Sequence, residues 1–268
     1  MKLDVKIDFK KRLIIYGIVA GILLAVIATV LITGFINQNK EPDPYIDPIE
    51  ETLPAANPNG DLNAYSWAEL QALAQAKLTE EIYRNKYGIE VGQKKDDKYL
   101  LVDIGAYDGF VFVYDAELTV AANETNNNDG GYATSKLATE VEALYTGFNT
   151  DLKSAVKEVT VKCNDGMKMA NSATHDYVCH TFLLSAAEVG FDVYFWEHAA
   201  AYEAEGTKLA YFNNTWDSRS NVTSTLTWWL RSADSDNEDC FHVVTKEGAE
   251  SSSVASYANA VLAAFVIG

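Results

Sequence analysis

Trp-Trp-Leu-Arg-Ser-Ala at residues 228–233 and Ala-Val-Leu-Ala-Ala-Phe-Val-Ile at residues 260–267 are the two stretches that decide the fold of this chain. Both are short apolar runs, which predict strands of a twisted antiparallel sheet over residues 228–268. Trp228, Trp229 and the end of the second run supply large apolar side chains for a core between neighbouring strands. We assign Arg231 a structural role beside them.

Polar residues fill the chain between these two strands. A rigid scaffold that presents polar loops is a common way to build a recognition surface. We therefore predict a ligand-binding surface at residues 234–259, and two aromatic residues in it are candidates for ligand contact. The predicted ligand-binding residues are Asp234, Asp236, Asn237, Glu238, Asp239, Phe241, His242, Lys246, Glu250, Tyr257 and Asn259. The alternative is a pair of solvated hairpin loops that bind nothing.

The residues before this sheet carry mainly helical signals. Ser66 with Glu69, and Ser185 with Glu188, form capping boxes that predict helix starts. Further predicted elements share ordinary helix or strand periodicity; they are a helical segment at 65–90, helices at 135–147 and 150–157, a helix ending at Gly190, and strands at 99–104, 110–114 and 159–163. Helices first and short antiparallel strands last predict an α+β domain.

Residues 13–36 form one long uncharged run. A helix of this length spans about 36 Å, which is enough to cross a hydrocarbon core of about 30 Å. Basic residues precede the run and acidic residues follow it, so the positive-inside rule predicts a cytoplasmic tail at 1–12. We therefore expect a single-pass plasma-membrane protein with a transmembrane signal anchor at 13–36 and an extracellular C-terminal part. A cleaved signal peptide is the alternative, but its apolar core is usually shorter.

The composition limits the classes of partner. All five prolines lie in residues 37–64, which predicts an extended acidic linker before a domain at 65–268. The whole chain has a net charge of −17, which excludes nucleic-acid binding through phosphates. Outside the cell, a Cys163–Cys179 bridge would contribute about 3 kcal/mol. Two free buried thiols are the alternative.

The Trp-Trp-Leu-Arg-Ser run, the polar stretch after it and the final apolar strand together resemble a bacterial family of unknown function whose C-terminal domain has a C-type-lectin-like fold. The formylglycine-generating-enzyme-like branch of that fold, and ligand-binding proteins diversified by retroelements, are similar. Pieces at 87–92, 107–112, 130–133 and 188–191 extend the resemblance over residues 65–268. It implies a C-type-lectin-like ectodomain whose surface at 234–259 is varied by a retroelement. Where the family has Arg-Pro in its last strand, this chain has Leu262-Ala263.

Metal and enzyme chemistries have weaker signals. The carboxylates between Asp234 and Asp239 offer oxygen ligands for calcium, but the stretch lacks the EF-hand pattern. Cys163, His175, Cys179 and His180 are ligand types that zinc prefers, at a spacing that matches no zinc motif. The motifs of the common nucleophilic hydrolases and of the zinc metalloproteases are absent from the sequence. We therefore predict no metal site, no catalytic residue, no cofactor and no enzyme activity.

These expectations combine into one functional hypothesis. We expect a membrane-anchored, adhesin-like display protein whose ectodomain binds an extracellular protein or glycan. The membrane partner contacts residues 13–36, and a homo-oligomer is an open possibility. The alternative is a structural or assembly subunit of the cell envelope that binds no small ligand.

Overall fold

The structure is a computed structural model and describes residues 53–166, 174–213, 215–222 and 226–268. The α-helices of these ranges are α1 Trp67–Gln75, α2 Glu80–Tyr87, α3 Lys136–Ala143, α4 Thr150–Ala155, α5 Ala199–Ala204 and α6 Thr215–Val222. The strands are β1 Lys94–Lys95, β2 Tyr99–Ile104, β3 Phe110–Ala121, β4 Val156–Lys157, β5 Val159–Asn164, β6 Thr174–Cys179, β7 Thr181–Leu183, β8 Trp228–Ala233, β9 Cys240–Val244, β10 Glu250–Val254 and β11 Ala258–Ile267. Short 3-10 turns occupy Leu62–Ala64, Ala106–Asp108, Tyr132–Thr134, Leu144–Gly147, Val193–Phe195 and Ala210–Asn213.

Side-chain caps begin the first helices where the sequence predicts them. The Ser66 side chain accepts from the backbone N–H of Glu69, and the Glu69 carboxylate accepts from the N–H of Ser66, which completes the capping box of α1. The Thr79 side chain caps α2 by accepting from the backbone N–H of Ile82, and Gly88 ends that helix in the left-handed conformation. Because each cap satisfies backbone groups that a helix leaves unpaired at its end, local sequence is enough to place these two helices.

Strand β11 lies at the centre of the main sheet, whose order is β1-β2-β3-β11-β8-β9-β10. One edge of β11 pairs antiparallel with β3 along almost its whole length. The other edge pairs with three short segments in turn: β8 in parallel through Ala260 and Trp228, then β7 and β4 antiparallel. Strands β5 and β6 form a separate two-stranded hairpin.

The core is built around the end of β11. Every side chain from Ala260 to Ile267 is buried. Phe265 stacks on Phe112 of β3 with ring centroids 5.5 Å apart, and Trp67 of α1 meets both rings edge-on. Aromatic pairs of this kind add to the stabilisation that burial alone provides. The helical segment therefore docks on the same apolar strand that the C-terminal sequence supplies.

The predicted fold class is corrected by the structure. The prediction included a transmembrane helix before the domain. In the described part of the chain, no helix is long and apolar enough to cross a membrane. The longest of these helices, α1, has nine residues, so it is about 14 Å long against a hydrocarbon core of about 30 Å. The described chain is a mixed α+β structure with a sheet-rich C-terminal part. Residues 13–36 lie outside the described residues, and the predicted plasma-membrane location stays a prediction.

Three local features differ from the predicted elements. Helix α4 ends at Ala155 because the next two residues pair with β11. Ser185 and Glu188 exchange capping-box hydrogen bonds, yet the residues that follow form a turn. The end of the predicted linker packs against the domain, since Leu62 is fully buried.

Candidate functional site

Three loops lie together at one end of the β8–β11 strands. The β8–β9 turn and the β10–β11 turn meet where the backbone N–H of Ala255 donates to the Asp239 carbonyl at 2.7 Å. The loop after β3 joins them, since the Asn123 N–H donates to the Ala255 carbonyl at 2.9 Å. We name these three segments, residues 123–128, 234–239 and 255–258, the loop face.

Asn128 holds the loop face together from inside. Its side chain is fully buried, and its Nδ2 lies within 3.0 Å of the carbonyl oxygens of Asp234, Asn237 and Cys240. Its backbone N–H donates to the Glu238 carbonyl at 2.7 Å. A buried amide that satisfies several turn carbonyls at once gives the β8–β9 turn one defined conformation. Asn128 is not among the predicted site residues, and the run of asparagines at 126–128 is its one signal in the sequence.

The outer surface of the loop face is acidic and carries one exposed aromatic ring. Tyr257 in the β10–β11 turn is 65% exposed, and Asp236, Asn237 and Glu238 in the β8–β9 turn are exposed as well. The three segments contain no lysine or arginine. Tyrosine, asparagine and serine residues on loops are typical of adaptable recognition surfaces, and the carboxylates favour cationic partners.

Nine of the eleven predicted binding residues fall into two groups at opposite ends of the strands. Asp234, Asp236, Asn237, Glu238, Asp239, Tyr257 and Asn259 belong to the loop face or adjoin it. Lys246 and Glu250 lie at the opposite end of β9 and β10, in or after the turn that joins them. Five residues of strand β9 separate the two ends, which is about 17 Å. Only a large ligand could therefore contact both ends of residues 234–259 at once.

Phe241 and His242 are not at the surface. Phe241 is fully buried against Trp229, so its predicted contact with a ligand is wrong. The imidazole of His242 stacks on Trp196 with centroids 4.3 Å apart, and its Nε2 lies 3.2 Å from the Tyr202 hydroxyl. Burial lowers the pKa of His242 to about 4, although Asp234 nearby acts in the opposite direction.

Arg231 lies at the centre of a buried polar network. Its guanidinium donates to the carbonyls of Lys162, Leu183 and Glu205, to the Glu188 carboxylate at 2.5 Å and to the Tyr107 hydroxyl. These five contacts use all five N–H donors of an arginine. The network therefore joins strands and turns that are far apart in sequence, and its hydrogen bonds are satisfied within the protein.

A second carboxylate belongs to this network. Glu205 is 2% exposed, accepts from the Asn164 N–H at 2.9 Å and accepts from the Ser232 hydroxyl. Desolvation raises its pKa to about 7, against the opposing effect of Arg231. A cleft of about 310 Å³ borders Glu205, Glu188 and Tyr107. No charge-pairing pattern in the sequence links either glutamate to Arg231, because both lie in turns far from it along the chain.

The cysteines do not form a bridge. Cys163, Cys179 and Cys240 are free and buried. In the β5–β6 ladder, Cys163 lies opposite His175 and Cys179 lies opposite Val159. The Cα atoms of the two cysteines are thus offset by four strand residues, about 13 Å along the ladder, whereas a disulfide needs Cα atoms within about 7 Å. The described residues also contain no group of three or more His, Cys, Asp or Glu side chains placed to hold a metal ion.

Residues 98–268 match the family model of a Domain of unknown function (DUF6273). The chain belongs to this family. The DUF6273 domain contains the loop face, the Arg231 network and all strands from β2 onward, whereas α1 and α2 precede it. No curated protein and no solved structure matches the chain.

Proposed function

We propose that the DUF6273 domain of this chain is a binding module whose loop face recognises a basic surface on another protein. The observation that carries this proposal is a loop face with one exposed tyrosine and four carboxylates that are at least partly exposed, whose β8–β9 turn is held by the buried Asn128 amide. A tyrosine ring supplies contact area at a low cost in conformational entropy. Carboxylates without intervening basic residues attract a positively charged partner and repel an anionic one.

Charge complementarity favours a protein over a glycan as the ligand. The loop face has four carboxylates that are at least partly exposed, those of Glu124, Asp236, Glu238 and Asp239. One of them, Glu124, contacts Lys136 at 3.4 Å. The other carboxylates have no ion pair within the described part of the chain. A basic protein surface would neutralise them, whereas a neutral sugar would leave their charges uncompensated.

The finer family resemblance is part of this proposal. We propose a C-type-lectin-like fold for the domain, supported by the long pairing of the last strand with β3 and by the loops gathered at one end. We also propose that any retroelement-driven variation falls on the loop face. Sequencing the surrounding genome tests this last point, because a reverse transcriptase gene and a near-repeat of the 3′ end should lie close by. Their absence would contradict it.

A binding screen of the full chain against purified proteins and glycans at two salt concentrations tests the proposed function. We expect partners with basic surfaces. Binding should be weaker at the higher salt concentration, because salt shortens the range of electrostatic attraction. Tyr257→Ser should weaken binding about tenfold or more, as expected for a central aromatic contact. Phe195→Ser is the control, because Phe195 is an aromatic residue that is 78% exposed and lies outside the loop face.

Two outcomes would contradict the proposal. If the chain bound only glycans, and Tyr257→Ser bound them as tightly as the wild type, the ligand would not be a basic protein and the binding site would not be the loop face. A defined oligomer in light scattering that buries Tyr257 would favour the alternative function, an assembly subunit whose loops contact copies of the same chain.

A further inference from the structure

A second concave surface lies away from the loop face, beside the start of β10. Its walls are the 187–194 turn and the 203–208 segment, and Arg219 of α6 and Glu250 of β10 complete it. Its volume is about 730 Å³, which is within the range of small-molecule sites. We name it the Arg219–Glu250 cleft.

The base of this cleft is fixed by Arg219. This side chain is only 5% exposed, and its guanidinium lies 4.6 Å from the centroid of the Phe191 ring. It donates to the Gly248 carbonyl at 2.7 Å and to the carbonyls of Val189 and Gly190 at 3.2 and 3.3 Å. These contacts tie α6 to two separate turns, so the cleft has a preformed base rather than a collapsed one.

The rim of the cleft carries charges of both signs that the protein does not pair. Asp192, Glu203 and Lys208 line the cleft and are exposed, and none of them forms an ion pair within the residues that the structure describes. Glu250 adds a third carboxylate, and its partial burial raises its pKa. The ammonium of Lys208 and the carboxylate of Glu203 lie in the same cleft without contacting each other.

We propose that the Arg219–Glu250 cleft binds a small zwitterionic ligand, an amino acid or a short peptide with free ends. The ligand's ammonium group would contact Glu203 or Asp192, and its carboxylate would contact Lys208. A purely anionic ligand would face three carboxylates, and a purely cationic one would leave Lys208 without a counter-charge. A ligand with both charges satisfies both sides through charge-assisted hydrogen bonds. Phe191 and Tyr194 supply the aromatic surface for the apolar part of the ligand.

Calorimetry on the full chain with glycyl-phenylalanine as the probe tests this proposal. We expect binding of the free dipeptide, and binding that is about tenfold to hundredfold weaker for its N-acetyl and C-amide forms, since each loses one charged contact. Lys208→Met should weaken binding of the free dipeptide by a similar factor and abolish the effect of C-terminal amidation. Glu203→Gln should abolish the effect of N-acetylation.

Controls separate this site from general charge effects and from the loop face. Lys77→Met and Asp108→Asn remove an exposed ion pair outside the cleft, whose members are 64% and 71% exposed, and should leave dipeptide binding unchanged. Tyr257→Ser should also leave it unchanged, so failure of the loop-face proposal would not affect this result. Equal binding of free and blocked dipeptides, or no binding of the free dipeptide at millimolar concentration, would overturn the proposal. Preferential binding of maltose that persists in Lys208→Met would overturn it in favour of a neutral sugar.

Discussion

Replacing Glu205 with glutamine should change how the stability of the domain depends on pH. The Glu205 carboxyl is buried against the Asn164 N–H and the Ser232 hydroxyl, and its pKa is raised from its ordinary value of 4.5 to about 7. Between these two pH values the unfolded chain has released a proton that the folded protein still holds. The free energy of unfolding therefore falls as pH rises through this interval.

The size of this effect follows from the pKa interval. Each pH unit between the two pKa values changes the free energy of unfolding by about 1.4 kcal/mol, so the whole interval is worth about 3 kcal/mol. Glu205→Gln removes the titration and keeps the size of the side chain. Relative to the wild type, the variant should therefore gain about 3 kcal/mol between acidic and neutral pH.

His242 provides an internal control of opposite sign. Its pKa is lowered from 6.5 to about 4, so between these values the unfolded chain binds a proton that the folded protein does not. Stability from His242 rises with pH over this interval, by about 3 kcal/mol in total. His242→Phe keeps an aromatic ring against Trp196 and removes the titration, so this variant should lose stability relative to the wild type as pH rises.

Urea denaturation of the wild type and both variants at half-unit steps from pH 4 to 7.5 measures these differences. All other titrating groups cancel when each variant is compared with the wild type at the same pH. The reasoning is refuted if the Glu205→Gln difference is independent of pH, or if both variants shift in the same direction.

Two further substitutions test packing and charge in the interior. Arg231→Met leaves the Glu188 carboxylate, which is 2% exposed, without its cation, so we expect a loss of about 3–5 kcal/mol in urea denaturation; a loss below about 1 kcal/mol would mean that the network contributes little. Gly131→Ala should cost about 2 kcal/mol or more, because Gly131 has a φ of 62° and an added Cβ would lie 1.7 Å from the Asn164 carbonyl oxygen. Gly147→Ala is its control, since nothing lies within 4 Å of a Cβ there, and equal melting temperatures for the two variants would contradict the steric argument.

The sequence alone determined the elements whose signals are local. The Ser66–Glu69 capping box placed the start of α1, and the apolar runs at 228–233 and 260–267 placed β8 and β11. These predictions depend on periodicity and on hydrogen bonds between neighbouring residues, which the chain carries regardless of its tertiary structure. The mixed α+β character followed from the same signals. The transmembrane part of the predicted fold class is corrected, since no helix among the described residues is long and apolar enough to span a bilayer.

Only the tertiary structure decided which residues meet. The capping box at Ser185 predicts a helix, but the Glu188 carboxylate is also bound by Arg231, 43 residues away, and the segment remains a turn. The predicted binding surface at 234–259 separates into two ends because a strand points its two flanking turns in opposite directions. The loop face gains Asn128 and its neighbours from the end of β3, more than 100 residues earlier. Long-range pairing of this kind depends on how the whole chain buries its apolar strands, which no local pattern of residues records.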